Sequence, residues 1–321
     1  MALVRLRRYR RYRACSIPFT IVITLLAVSC GPEEYQAPVK KFKDASQVVI
    51  DATRSFLAHE NVVEEEAFID QRVFEQQPMD PEVIAKVDVI SPEEIRLRTA
   101  ALDALAKYTT NLGQLAAGKF TADTGHDTKA QSDSLKKVSD DARTIPEPRG
   151  RMLDNQKFSG VASAAAGVIA AVAQLMIEKK ARHELEQAVV ENDAAIQQLI
   201  QLISDDCTLA YERQKATLSA TGVQLYSTYK LELEKKDKDS LLLLVLADRI
   251  KVFRGKQAIL VAADPSSAIL GMKKAHSALV ACVQSNKTPR SLAELVKSIQ
   301  EFSGAAEPLG AAVQSLVSAS R

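Results

Sequence analysis

The chain has 321 residues, of which 46% are apolar, enough to bury the core of one large domain or two modest ones. It contains only 12 glycines, 11 prolines and no tryptophan, and it lacks the alternating pattern of β-strands. Six arginines lie within residues 1–29, and the rest of the chain is mildly acidic, with 36 basic and 40 acidic residues. It has no basic stripe interleaved with aromatic residues, which argues against nucleic acid as a partner.

The first 30 residues have the three parts of an export signal. The six arginines lie between residues 5 and 13, an apolar run extends from Ile17 to Val28, and the small Ser29 precedes Cys30. Residues 14–29 are too short for a comfortable transmembrane helix, which needs about 20 apolar residues. The pattern therefore predicts a segment that is removed after export.

Residues 26–30, Leu-Ala-Val-Ser-Cys, resemble the lipobox of bacterial prolipoproteins. In that family the cysteine receives a diacylglyceryl group and becomes the new amino terminus. The resemblance implies a signal peptide over residues 1–29 and a lipidated Cys30 that anchors the protein to a membrane. Ala27 departs from the usual leucine. Gly31 stands where an aspartate would mark inner-membrane retention, so the resemblance implies an outer-membrane lipoprotein facing the periplasm.

Three alternatives compete for this segment. The apolar run is short for an uncleaved signal anchor, and it is contiguous rather than amphipathic, unlike a mitochondrial presequence. A twin-arginine export signal is suggested by the paired arginines. However, Arg10 and Arg13 stand where that motif has apolar residues.

The remaining chain predicts an all-α fold, an elongated multi-helix bundle with one or more long helices. We divide it into a flexible lipidated tether over residues 30–43, an amino-terminal helical region with a polar connector over 44–154, and a long-helix region over 155–321. Ser91-Pro92-Glu93-Glu94 predicts a capped helix start. Residues 119–154 are expected to be a partly helical, mobile connection. From residue 155 to about 236 the chain reads as nearly continuous helix, bent near residues 204–206 or Gly222.

The segment Phe158–Ile177 contains no charged residue over 20 positions, the length that spans a bilayer. Ser163, Gly167 and Ala171 follow one another at four-residue spacing, which permits close helix contact. One interpretation is a segment that enters a membrane, loosely similar in style to helical pore-forming toxins. The other is a central bundle helix. We favour the latter, because alanine, glycine and serine give little drive for insertion and Gln174 opposes it.

Two cysteines, Cys207 and Cys282, remain after the signal peptide and the lipidated residue. An even pair in an oxidising compartment is a candidate disulfide, and the alternative is two unpaired, buried thiols. The four histidines, His59, His126, His183 and His276, are scattered, and no pair has metal-ligand spacing. We therefore expect no metal site and no cofactor.

These observations favour a non-enzymatic function. The leading hypothesis is a lipid-anchored envelope lipoprotein that acts as a helical structural or protein-interaction module. Its partners would be the membrane, through the lipid, and either another envelope protein or further copies of itself. The alternative is a membrane-active or pore-forming protein that uses Phe158–Ile177, and the third is an enzyme assembled from residues distant in sequence.

Overall fold

A computed structural model describes residues 32–319, apart from 85–86, 88, 120, 143–154 and 179–181. All regular secondary structure in these residues is helical and the helices are packed together, which confirms the predicted all-α bundle. The helices are α1 (Pro32–Phe74), α2 (Pro81–Ile84), α3 (Pro92–Ala116), α4 (Ala122–Ala142), α5 (Asn155–Ile177), α6 (Arg182–Glu191), α7 (Asp193–Glu234), α8 (Ser240–Ala262), α9 (Ser266–Gln284) and α10 (Pro289–Ala319).

Two long helices dominate the bundle. α1 has 43 residues and α7 has 42, so each is about 65 Å long at 1.5 Å per residue. α1 packs against α3, α7, α9 and α10, and α7 packs against α5, α8 and α9. One hydrophobic core includes buried residues of helices on both sides of the boundary predicted at residue 154, among them Leu105 and Ile200. The described residues on the two sides of that boundary therefore share a core.

The predicted flexible tether over residues 30–43 is wrong from Pro32 onward, because α1 begins there. Tyr35, Val39 and Phe42 recur at four- and three-residue spacing, which places them on one helix face, and all three are buried. Phe42 packs on the ring of Phe302 in α10, with 5.8 Å between the ring centroids. The two prolines of this segment had suggested an open chain, but this apolar stripe makes it part of the bundle.

The start of α3 agrees with the sequence. Ser91 Oγ accepts a hydrogen bond from the backbone N–H of Glu94 at 3.2 Å, and the Glu94 carboxylate accepts one from the Ser91 N–H at 2.7 Å. Pro92 occupies the first turn, where a missing N–H carries no penalty. This capping box fixes the position of Arg98, one turn further along the same helix.

The expected mobile connection is instead largely the regular helix α4, which packs closely along α5. Its polar sequence is explained by small hydroxyl groups that replace apolar side chains at the contact. Ser132 Oγ donates to the Ala166 carbonyl at 2.5 Å, and Ser139 Oγ donates to the Ser159 carbonyl at 2.6 Å. A Cβ atom on Gly125 would lie 2.7 Å from a side-chain carbon of Ile177, so the two helices touch there.

A bend or turn was predicted near residues 204–206 or Gly222, but α7 is uninterrupted helix through both positions, so no turn breaks it there. The chain leaves the helix earlier, after Ile177, and α6 ends at Glu191. Asp206 and Gly222 are accommodated inside α7 because each of them contacts another helix. Asp206 is paired with Arg98, and Gly222 lies against the ring of Phe253 in α8.

Candidate functional site

The α7–α8 hairpin extends beyond the main core, from about residue 218 to residue 253. A polar turn over residues 235–239 joins the two helices. The Asp239 carboxylate caps α8 by accepting hydrogen bonds from the N–H groups of Leu241 and Leu242, at 2.9 and 3.0 Å. The Glu232 carboxylate accepts one from the Asp239 N–H at 2.9 Å. These bonds give the tip of the hairpin a defined shape.

The hairpin has a small apolar cluster of its own, formed by Leu225, Leu246 and Phe253. The Phe253 ring fills the space that a side chain at Gly222 would need, so the two helices approach closely there. Phe74, at the end of α1, packs against the same cluster. Because this cluster is separate from the main core, few apolar contacts support the tip.

Two ion pairs join the hairpin to the last turns of α1. Arg249 Nη2 lies 2.7 Å from the Asp70 carboxylate, and Lys256 Nζ lies 2.8 Å from the Glu66 carboxylate. A groove of about 440 Å³ runs between α1 and the hairpin beside these pairs. The ion pairs show that α8 runs antiparallel to α1. Phe74 lies level with Leu246 and Phe253, so the tip of the hairpin extends past the end of α1.

Large apolar side chains are unusually exposed on this hairpin. Of the fifteen exposed large apolar residues in the described part of the chain, ten lie between residues 223 and 261. They are Val223, Tyr226, Leu231, Leu233, Leu241, Leu242, Leu244, Val245, Val252 and Val261. Single exposed apolar residues are ordinary on a protein surface, whereas ten of them within one helical hairpin make it the candidate interaction surface. We call these ten residues the hairpin surface.

The bundle interior contains a charged cluster that sequence analysis did not find. Arg98 of α3 and Asp206 of α7 are 1% exposed and form an ion pair through two guanidinium nitrogens. Arg98 also donates to the Asn155 side chain at 3.4 Å, and Asn155 donates to Glu94 at 3.3 Å. All four side chains are buried, so the cluster can tie three helices together but cannot receive a substrate from solvent.

A second buried acid lies on α1. Glu60 is fully buried, and Gln214 donates a hydrogen bond to its carboxylate at 2.7 Å. Arg213 Nε is 3.4 Å away, beyond the distance of a strong hydrogen bond. Burial raises the pKa of Glu60 from its ordinary 4.5 to about 7, because the charged form loses its solvation. The hydrogen bond from Gln214 only partly opposes this shift.

The structure identifies His276 as a core histidine whose two ring nitrogens both have partners. Its Nε2 lies 2.9 Å from Tyr108 Oη, and its Nδ1 lies 3.0 Å from Asp193 Oδ1. The hydrogen bond with His276 is the main cause that lowers the pKa of Asp193. Tyr108, His276 and Asp193 have the order of a catalytic relay, but Tyr108 and His276 are buried and no reacting atom can reach them.

The predicted disulfide between Cys207 and Cys282 is not formed, and both thiols are free and buried. The physical reason is that they face different neighbours. Cys207 lies beside Thr53 and Asp206, whereas Cys282 accepts a weak hydrogen bond from Ser291 Oγ at 3.7 Å. Burial raises the pKa of both thiols, which leaves them protonated and poorly nucleophilic.

The apolar segment Phe158–Ile177 lies in α5, the one helix among the described residues whose length and composition would suit a membrane span. One side of α5 is buried against α4 and α7, which agrees with a bundle helix. The stripe predicted to make close helix contact points the other way, because Gly167 and Ala171 are exposed and Ser163 is half-buried. The residues of α5 that lie close to α4 are instead the buried Ala162, Ala166 and Ala173.

The described residues contain no group of three or more histidine, cysteine, aspartate or glutamate side chains placed to hold a metal ion. The predicted signal peptide and the lipidation site Cys30 lie outside the described residues. A comparison of the chain with known protein families, with curated proteins and with solved structures finds no match.

The exposed surface of α8 was not predicted from the sequence. A signal was present, because Leu241 to Leu246 is a run of six apolar residues beside a charged turn. In a bundle such a run is expected to be buried on most sides. Leu246 alone of the six is buried, and only the fold could show this, because it depends on how far α8 extends past its neighbours.

Proposed function

We propose that this protein is a lipid-anchored envelope lipoprotein whose helical body acts, without catalysis, as a protein-interaction module. The observation that carries the proposal is the hairpin surface, ten exposed large apolar side chains within residues 223–261 of the α7–α8 hairpin. The buried polar clusters have no solvent access and serve the fold. We further propose that the protein resides in the outer membrane and faces the periplasm, and that it binds another envelope protein or further copies of itself.

The length of α1 supports a wide separation between the lipid anchor and the hairpin surface. α1 begins two residues after Cys30, so a lipid on that cysteine would hold the bundle close to the bilayer. Asp70, which is paired with the hairpin, lies 38 residues further along the same helix, about 57 Å away. The hairpin surface would therefore face away from the anchoring membrane, where protein partners are available.

We expect that Cys30→Ser abolishes acylation and leaves a longer, unprocessed chain. Lipid transfer requires the thiol, and the signal peptide of a prolipoprotein is removed only after this transfer. Labelling cells with a radioactive fatty acid and comparing the mass of the purified chain would measure both effects. Cys207→Ser is the matched control and should leave labelling and processing unchanged. Acylation of the Cys30→Ser chain, with cleavage at the same place, would show that the lipobox assignment is wrong.

The binding function can be tested by placing a photo-crosslinking amino acid at Leu231, a hairpin-surface residue that is 64% exposed. In full-length protein within cells, we expect an adduct of defined mass to form after irradiation. The same amino acid at Lys137, an exposed position on α4, is the control and should give none. Mass spectrometry of the adduct would identify the partner. Equal and diffuse labelling at both positions, or none at either, would contradict a binding role for the hairpin.

A further inference from the structure

One face of α8 carries a regular seam that no other described helix covers. Seven positions follow one another at alternating spacings of three and four residues, which is the spacing of a coiled-coil interface. All seven are exposed, although neighbouring positions on the other side of α8 are buried. They are Leu241, Leu244, Asp248, Lys251, Gly255, Ala258 and Ala262.

The seam has large residues at one end and small residues at the other. Leu241 and Leu244 are 70% and 68% exposed near the tip of the hairpin. Gly255 and Ala258 occupy the corresponding positions towards the base, and no atom lies within 4 Å of the place where a Cβ on Gly255 would stand. A second α8 in the opposite direction would place its leucines over these small residues. Large and small side chains would then alternate across the contact, as they do in well-formed helix pairs.

The charges at the centre of the seam fit the same arrangement. Asp248 and Lys251 are exposed, and neither forms an ion pair with another residue in the described part of the chain. In an antiparallel pair centred between these two residues, each Asp248 would face Lys251 of the second copy. The contact would occur twice, because a two-fold interface repeats each pair. Polar residues within an apolar seam commonly fix its register and direction.

We propose that α8 binds α8 of a second copy of this chain in antiparallel orientation, so that two hairpins form a four-helix arrangement. A second copy is favoured over a foreign partner because the seam is complementary to itself in both size and charge. This inference rests on the proposed function, since it specifies self-association as one use of the hairpin. An α8 pair leaves the α7 side of the hairpin, which includes Leu231, available for another contact.

Charge reversal tests the pairing directly in the full-length lipoprotein. Two differently tagged copies are produced in the same cells and extracted with mild detergent, and the fraction of one tag recovered with the other is measured. Asp248→Lys in both copies should reduce recovery at least about tenfold, because two lysine pairs would then face each other. Asp248→Lys in one copy with Lys251→Asp in the other should restore recovery to near the wild-type level. The double variant Asp248→Lys/Lys251→Asp should also pair with itself.

A size variant tests the predicted register without changing charge. Gly255→Leu should block the approach of Leu244 from the second copy and reduce recovery at least about tenfold. It should not destabilise the monomer, because the site is open and leucine is the better helix former. Circular dichroism of the same preparation checks that the helices are intact. Gly304→Leu is the matched control, since Gly304 is also an exposed helical glycine with open space around it.

Each outcome of these experiments either supports or overturns the pairing of α8 with α8. Restoration by the opposite-charge combinations, together with loss in Gly255→Leu, supports the antiparallel pair. Wild-type copies that do not recover one another, or single reversals that recover normally, overturn it. Loss without restoration also overturns it, because the register would be wrong. Failure here would leave a Leu231 adduct with a foreign protein unaffected, whereas failure of the proposed function would remove that adduct, so the two outcomes are distinguishable.

Discussion

Arg98→Met should lower the free energy of unfolding by about 3–5 kcal/mol, the largest effect that we expect from a single charged residue in this protein. Arg98 and Asp206 are each 1% exposed, and they pair through two guanidinium nitrogens. Removing the guanidinium takes away the charge that Arg98 supplies to the buried Asp206 carboxylate. Chemical denaturation at pH 7 of both proteins, followed by circular dichroism, measures the difference.

The double variant Arg98→Met/Asp206→Leu tests the reason for this loss. If the cost comes from an uncompensated charge, replacing both partners should recover most of the stability, to within about 2 kcal/mol of wild type. Arg96→Met is the control, because Arg96 is exposed and its pair with Glu93 joins two surface residues three positions apart. A double variant no more stable than Arg98→Met would show that packing volume, rather than the lost charge of Arg98, sets the effect.

The second large effect that we expect is a dependence of stability on pH through Glu60. Its pKa of about 7 in the folded protein lies above the ordinary value of 4.5, so the folded state binds this proton more tightly than the unfolded state. The resulting stabilisation is fully present below pH 4.5 and is lost as the pH rises through 7. The loss amounts to about 3 kcal/mol, because each pKa unit corresponds to about 1.4 kcal/mol.

Comparison with Glu60→Gln isolates this effect from other titrating groups. The variant cannot ionise at this position, so its stability relative to wild type should increase from pH 5 to pH 8 by about 3 kcal/mol. Denaturation curves at four pH values in that interval give the difference. Glu65→Gln, which replaces an exposed acid on the same helix, is the matched control for the loss of a carboxylate. A constant difference for Glu60→Gln would contradict the raised pKa of this carboxyl.

Local signals in the sequence predicted the parts of the fold that depend on neighbouring residues. The capping box at Ser91 and Glu94 was found because both partners lie within one turn. The helical class followed from composition, and α7 lies within the nearly continuous helix predicted over residues 155–236. These features need no information about the rest of the chain, which is why they could be read directly.

Features that depend on distant partners could not be predicted in this way. Nothing near Arg98 in the sequence indicates that it is buried, because its partner Asp206 is 108 positions away. The bend expected near Asp206 and Gly222 fails for the same reason, since both residues are stabilised within α7 by contacts with other helices. The tether prediction failed because two prolines outweighed the spacing of Tyr35, Val39 and Phe42.

Because α1 is one continuous helix, it fixes the distance between its two ends. A lipid at Cys30 would hold one end of α1, and the pairing face of α8 lies near the other end, about 57 Å along the helix. Two antiparallel copies would carry their lipids on opposite sides of the contact, about 115 Å apart. Copies that stand upright in one membrane, with their hairpins facing away from it, could therefore not form this pair with one another. Upright copies in two facing membranes could form it, and the pair would then set the width of the gap between the membranes.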